Sequence, residues 1–152
     1  MPIPPKKSTP LEMEVKEVNS IAYPNIKFFI ISFSERTYLD SINFKKFSDK
    51  LEELLTDNKI YIIIDMEKIF YISSAGLGVL MEGMRNCCKV GGDIKLMKMT
   101  EKIRHFFDML GFARLFQIHN NQEDAINAFE DDMKDANNVD RSVIIDIDDD
   151  NL

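Results

Sequence analysis

Residues 60 to 64 read Ile-Tyr-Ile-Ile-Ile, with Lys59 in front and Asp65 behind. A short, continuous apolar run rich in β-branched residues offers no polar face to water, so it fits a strand buried on both sides. Such a strand belongs inside a parallel sheet, where helices cover both faces. The remaining chain has to supply those helices, and helical spacing occurs where it is needed.

Before this run, the pattern predicts two strands, Met13–Asn19 and 26–33, around the turn signal Tyr23-Pro24-Asn25. They read as an antiparallel hairpin. From Asp40 the spacing changes: Phe44, Phe47, Leu51, Leu54 and Leu55 predict a helix capped by Asp40 or Ser41 and ended by Asp57-Asn58. After Ser74, the apolar positions Leu77, Leu80, Met81, Met84 and Cys88 step by three or four toward Gly91-Gly92. "DIKLMKM" (93–99) alternates apolar and polar as a half-buried strand does. "TEKIRHFFDMLG" (100–111) predicts a short helix capped by Thr100, with Ile103, Phe106, Phe107 and Leu110 on one face and Gly111 as its stop. "RLFQI" (114–118) reads as a last strand, and 121–133 as a closing helix with Ala125, Ile126, Phe129 and Met133 on one side. The order β-β-α-β-α-β-α-β-α implies an α/β fold. Its mixed, mostly parallel sheet has an antiparallel edge hairpin and helices packed on it.

Charge is unevenly placed. Residues 130 to 152 hold nine Asp/Glu against two Lys/Arg, which accounts for the whole net charge of -7 and leaves residues 1 to 129 balanced. A neutral body with an acidic end argues against nucleic acid, whose binders present a basic face, and favours protein partners. The chain divides into a proline-containing flexible segment (1–11), a domain (12–130) and an acidic, mobile tail (131–152). Within that tail, 143–147 has the residue types of an added edge strand. The longest apolar stretch falls far short of the ~20 residues that span a bilayer. The start has no secretory h-region, so the reading is a cytoplasmic protein without membrane insertion. Cys87 and Cys88 are adjacent, which suits neither a disulfide framework nor a zinc pair; one is expected to pack and the other to be exposed. His105 and His119 have no companions at ligand spacing and are expected on the surface, so neither a metal site nor a cofactor is anticipated.

The stretch "IFYISSAGLGVLMEGM" (69–84) carries the chemistry. An apolar run stops at two hydroxyls immediately before a helix. Serine there is a preferred N-cap, because its oxygen accepts an orphan backbone N–H. A hydrolase elbow would need Gly two residues before the serine, where Tyr71 or Ile72 stands, and no catalytic residue is assigned. A phosphate cradle through "AGLG" lacks the P-loop lysine. Nucleotide binding stays open, and a phosphorylation switch is a further alternative.

Residues 60 to 78, "IYIIIDMEKIFYISSAGLG", resemble the signature of the STAS domain in bacterial anti-sigma factor antagonists. That signature runs strand, Asp, short loop, apolar pair, then Asp-Ser-Ser/Thr-Gly-Leu-Gly. The likeness extends over residues 12 to 130 in element order. Aligning Gly76-Leu77 with the family's Gly-Leu makes Ser74 the implied phospho-acceptor; a register slipped by one would make it Ser73. Ala75 stands where Ser or Thr is usual, and Ser73 where Asp is usual. The resemblance implies an antagonist that binds an anti-sigma factor of the serine-kinase type while unmodified, is released when phosphorylated, and is restored by a PP2C-type phosphatase. Such a chain is substrate and ligand rather than enzyme. Implied partner contacts are Asp65, Glu67, Ser73, Ala75, Gly76, Leu77, Glu82 and Arg85. On residue type alone Asp65 also fits a polar strand end, and Glu82 and Arg85 also fit an ion pair three apart on a solvated helix face. The alternative within the family is a non-switching STAS adaptor, or a nucleotide-sensing module, in a larger regulatory or transport assembly.

Overall fold

A computed structural model describes residues 10 to 136. In chain order the elements are β1 Met13–Asn19, β2 Lys27–Phe33, β3 Thr37–Leu39, α1 Phe44–Thr56, β4 Tyr61–Asp65, β5 Ile69–Ile72, α2 Ser74–Lys89, β6 Asp93–Met97, α3 Glu101–Leu110, a 3-10 turn Phe112–Arg114, β7 Ile118–His119 and α4 Gln122–Ala136. The expected edge strand at 143–147 lies outside the described residues.

Five strands form one sheet in the order β1-β2-β4-β6-β7, so the isoleucine run of β4 is its middle strand. β1 pairs antiparallel with β2, Met13 opposite Phe33 and Asn19 opposite Lys27, while the other neighbours pair parallel. Ile62, Ile63 and Ile64 have no exposed surface. Successive side chains of a strand point to opposite faces, and the core divides accordingly. Ile31, Phe33, Ile62, Ile64, Ile94 and Leu96 face a large cluster with Phe47, Leu51 and Leu54 of α1, Leu77 and Leu80 of α2, and Ile103 and Phe107 of α3. Phe28, Ile30, Ile63 and Met97 face the other way, onto Ala125 and Phe129 of α4. Phe129 stacks on Phe28 at 5.4 Å. Glu130 accepts hydrogen bonds from the Ser20 hydroxyl and the Ala22 N–H, tying the β1–β2 turn to α4.

Five details depart from the sequence pattern. First, β3 and β5 form a separate two-stranded parallel sheet, Leu39 opposite Ile72. At three and four residues they are too short to show a period. Second, α1 begins at Phe44, because Asp40 and Asn43 are engaged in a turn of their own. Third, β6 is buried on both faces rather than half-buried, since Lys95 points under α4 and not into water. Fourth, the last strand shrinks to Ile118–His119, because the left-handed Gly111 (φ 77°) ends α3 and a 3-10 turn then carries Phe112 and Phe116 inward onto Phe107. Leu110, read as core, is half exposed at that helix end. Fifth, His119 is half-buried rather than superficial. Burial, and then the nearby Lys95 charge, hold its imidazole below the ordinary histidine range.

Lys95 is the one charged side chain of the buried set, with no exposed surface. Its Nζ meets Asp132 at 2.7 Å, Gln117 at 2.9 Å and Asp93 at 3.5 Å, and lies 4.7 Å from the Phe129 ring centroid. A buried ion pair adds little over an apolar isostere, but removing one partner strands the other charge. Lys95→Met leaves Asp132 and Asp93 at 50% and 29% side-chain exposure, where water takes over their charges, so it is expected to shift stability by less than ~1.5 kcal/mol. Asp132→Ala, which leaves the ammonium behind, is expected to cost ~3 kcal/mol in denaturant unfolding.

Of the two cysteines one packs as expected, while the other is less exposed than expected. Cys87 is buried, and burial first, with Asp93 adding to it, pushes its thiol up to about 12. Cys88 is half-buried. Iodoacetamide at mildly alkaline pH should alkylate Cys88 while leaving Cys87 untouched in the folded protein, as read by peptide mass spectrometry.

Candidate functional site

The site is built where β5 hands over to α2. Ile69 and Ile72 of β5 are buried, and Leu39 of β3 lies beside Ile72. Ser73 leaves the strand in extended conformation (φ -80°, ψ 169°), and its N–H donates to the Leu39 carbonyl at 2.8 Å. Its hydroxyl oxygen accepts from the Gly76 N–H at 3.2 Å, and its carbonyl accepts from the Leu77 N–H at 3.0 Å. Ser73 is thus the N-cap, fixed to the small sheet on one side and to the first helical turn on the other.

Ser74 is the first helical residue and is exposed. Among the described residues no hydrogen bond engages its hydroxyl. Ala75 is half-buried, whereas Gly76 and Leu77 face the core. A Cβ on Gly76 would come within 2.9 Å of Ile72 Cγ1 and 3.0 Å of Leu39. Only a residue without a side chain lets the helix mouth seat this closely on β3 and β5. The first turn of α2 carries no acidic residue, so the positive end of its helix dipole is not offset from within the helix.

The other anticipated residues are spread along this edge. Asp65 ends β4 half-buried, and its Oδ1 accepts the Glu67 N–H at 3.0 Å, shaping the loop that leads to β5. Glu67 is exposed in that loop. Glu82 and Arg85 are exposed on the third and fourth turns of α2, and among the described residues no ion pair joins them. Glu82 instead lines a groove of about 320 Å³ between α1 and α2.

One neighbour escaped the sequence reading. Asp40 Oδ1 accepts the N–H groups of Ile42 and Asn43, both at 2.8 Å. In return Asn43 Oδ1 accepts the Asp40 N–H at 2.9 Å, and Asn43 Nδ2 donates to the Tyr38 carbonyl at 2.9 Å. This braced turn follows Leu39, the residue bonded to Ser73, and it presents Ile42 at 73% exposure. The spacing Asp-x-x-Asn was the available signal, but the sequence pattern used only Asp40 or Ser41, as a helix cap.

The STAS domain family model matches residues 17–125. The chain belongs to the STAS domain family. BtrV of Bordetella bronchiseptica, which bears the name of an anti-sigma factor antagonist, is 27% identical over 92 residues, covering 60% of this chain and 79% of BtrV. The anti-sigma factor antagonist SpoIIAA in its unphosphorylated form superposes with a TM-score of 0.62 at 18% identity, over 78% of this chain and 96% of that one. The phosphorylated form of SpoIIAA, a Bacillus cell fate determinant, gives 0.57 at 19% identity, over 77% and 98%. At these identities the structural likeness is one of fold. In this STAS domain the mixed sheet and the four helices match that fold. Among the described residues no helix is long and apolar enough to cross a membrane.

Capping and close packing at the mouth make separable contributions. Ser73→Ala should lower unfolding free energy by about 1 kcal/mol through loss of the cap. Gly76→Ala should cost about 2 kcal/mol by forcing the helix off Leu39 and Ile72. Ser74→Ala should stay within about 0.5 kcal/mol of the parent, since that side chain stabilises nothing. Urea titrations of the three variants check all three values.

Proposed function

We propose that this STAS domain is an anti-sigma factor antagonist working by partner switching. Unmodified, it binds an anti-sigma factor of the serine-kinase type; phosphorylated on Ser74 by that partner, it lets go; a PP2C-type phosphatase resets it. One observation carries the reading: of two adjacent serines, Ser73 has its oxygen committed to capping while Ser74 stands exposed with its hydroxyl unengaged. The name borne by BtrV, and the existence of SpoIIAA in phosphorylated and unphosphorylated forms, support the same direction.

The physics favours a local switch. A phosphoserine carries about -1.5 to -2 charges, and at a helix N-terminus that charge is stabilised by the dipole. The domain itself therefore tolerates the modification. A partner seated over the mouth would have to bury the same phosphate, and without a matching cation that costs several kcal/mol. Since each 1.4 kcal/mol is tenfold in affinity, release follows from a modest mismatch. In this reading Asp65, Glu67, Ser73, Ala75 and the protruding Ile42 surround the contact. Gly76 and Leu77 seat the helix that presents it, and Glu82 and Arg85 continue along its outer side. The protein takes part as ligand and substrate and performs no catalysis.

Incubation with the cognate kinase and ATP should add a single phosphate by intact mass. That phosphate is expected in Ser73→Ala and absent in Ser74→Ala. Ser74→Asp should bind the kinase at least tenfold more weakly than the parent in calorimetry. Phosphate on another residue would reject the switch, and undiminished binding of Ser74→Asp would leave a non-switching adaptor.

A further inference from the structure

The groove between α1 and α2 is a surface separate from the helix mouth. Its lining is mixed: Leu51 and Leu55 of α1 and Val79 and Cys87 of α2 supply aliphatic patches, and Ser48, Thr56 and Asn86 lie among them. Its lining also includes one carboxylate from each helix, Glu52 and Glu82, both exposed. Other acidic residues on or beside α1 carry their own cations: Asp49 pairs with Lys45 at 3.5 Å, Glu53 with Lys50 at 3.2 Å and Asp57 with Lys59 at 3.0 Å. Among the described residues no ion pair engages Glu52 or Glu82. The two uncompensated carboxylates of this helix pair are therefore those that line the groove.

We infer that this groove docks a basic amphipathic segment of a protein partner, with an arginine as its anchor. An arginine stem is aliphatic and lies along apolar surface, while the guanidinium keeps its planar donors for carboxylates at the rim. A groove that sets aliphatic patches beside two carboxylates offers partners to both parts of that side chain. Phosphate-bearing ligands are disfavoured by the same two charges. The groove shares Glu82 with the outer side of the helix that presents Ser74, but the inference does not rest on the Ser74 switch. Glu82 lies eight residues beyond Ser74, about 12 Å along the helix at 1.5 Å per residue. That exceeds the ~8 Å screening length of physiological salt, so a charge at Ser74 is felt only weakly in the groove.

The test uses the full chain, ¹⁵N-labelled, titrated with an amidated Leu/Arg peptide of helical spacing at low salt. Amide shifts are expected within residues 48–56 and 79–87. The double variant Glu52→Gln/Glu82→Gln should bind at least tenfold more weakly, and added salt should weaken the parent several-fold more than the double variant. A Leu/Gln peptide of the same spacing should not bind, and at physiological salt Ser74→Asp should alter the affinity less than about twofold. Shifts mapping elsewhere, unchanged binding by the double variant, or equal binding of the Leu/Gln peptide would each overturn the inference. Failure of Ser74 to accept phosphate would leave all of these outcomes as they are.

Discussion

Three consecutive isoleucines without exposed surface set the terms for the rest of the molecule. Burying each contributes about 1.5 to 3 kcal/mol, and they project alternately to both sides of the sheet. Neither face can therefore be left to solvent. One face takes α1, α2 and α3; the other has Ala125 and Phe129 of α4 as its fully buried helical cover. Parallel strands on either side of β4 follow, because the helices that cover such a strand are also its crossover connections.

The site is a by-product of this economy. α2 has to descend onto the sheet immediately after β5, and the glycine at its first turn lets it do so without a gap. Fixing Ser73 to Leu39 aligns the entry, and the helix sense then leaves Ser74 on the outside. A rigid frame and a free hydroxyl are one residue apart. That adjacency suits chemistry confined to a side chain, in which the backbone has no reason to move.

Much of this was legible in residue order. The β4 run, the periodic faces of α1, α2 and α4, and the Thr100 and Gly111 ends of α3 all appear where local pattern puts them, since each depends on neighbours within a few positions. What was hidden depends on distant partners. Lys95 reads as a solvent-facing residue until Asp132, 37 positions later, is found opposite it. β3 and β5 are stabilised by each other and carry too few residues to announce themselves. At the site, the serine pair could be read as cap or acceptor at either position. The approach of Gly76 N–H to Ser73 Oγ makes Ser73 the cap. The α1–α2 groove has no linear signature, because its walls come from helices separated by β4 and β5.

The way α4 is fastened has a mechanical side. Its attachments lie in series along the helix: Ala125 near the start, Phe129 in the middle, Glu130 at the β1–β2 turn, and then Asp132 on Lys95 with Met133 packed beside it. Tension applied at Ala136 would peel the helix from that end and meet the ionic clasp before the stacked rings. Opening the clasp would leave the buried ammonium to Gln117 and Asp93 alone, which draws the helix back before the aromatic layer is breached. Pulling from the opposite end would meet apolar contacts first and find no such restoring charge, so the helix resists detachment unequally in the two directions.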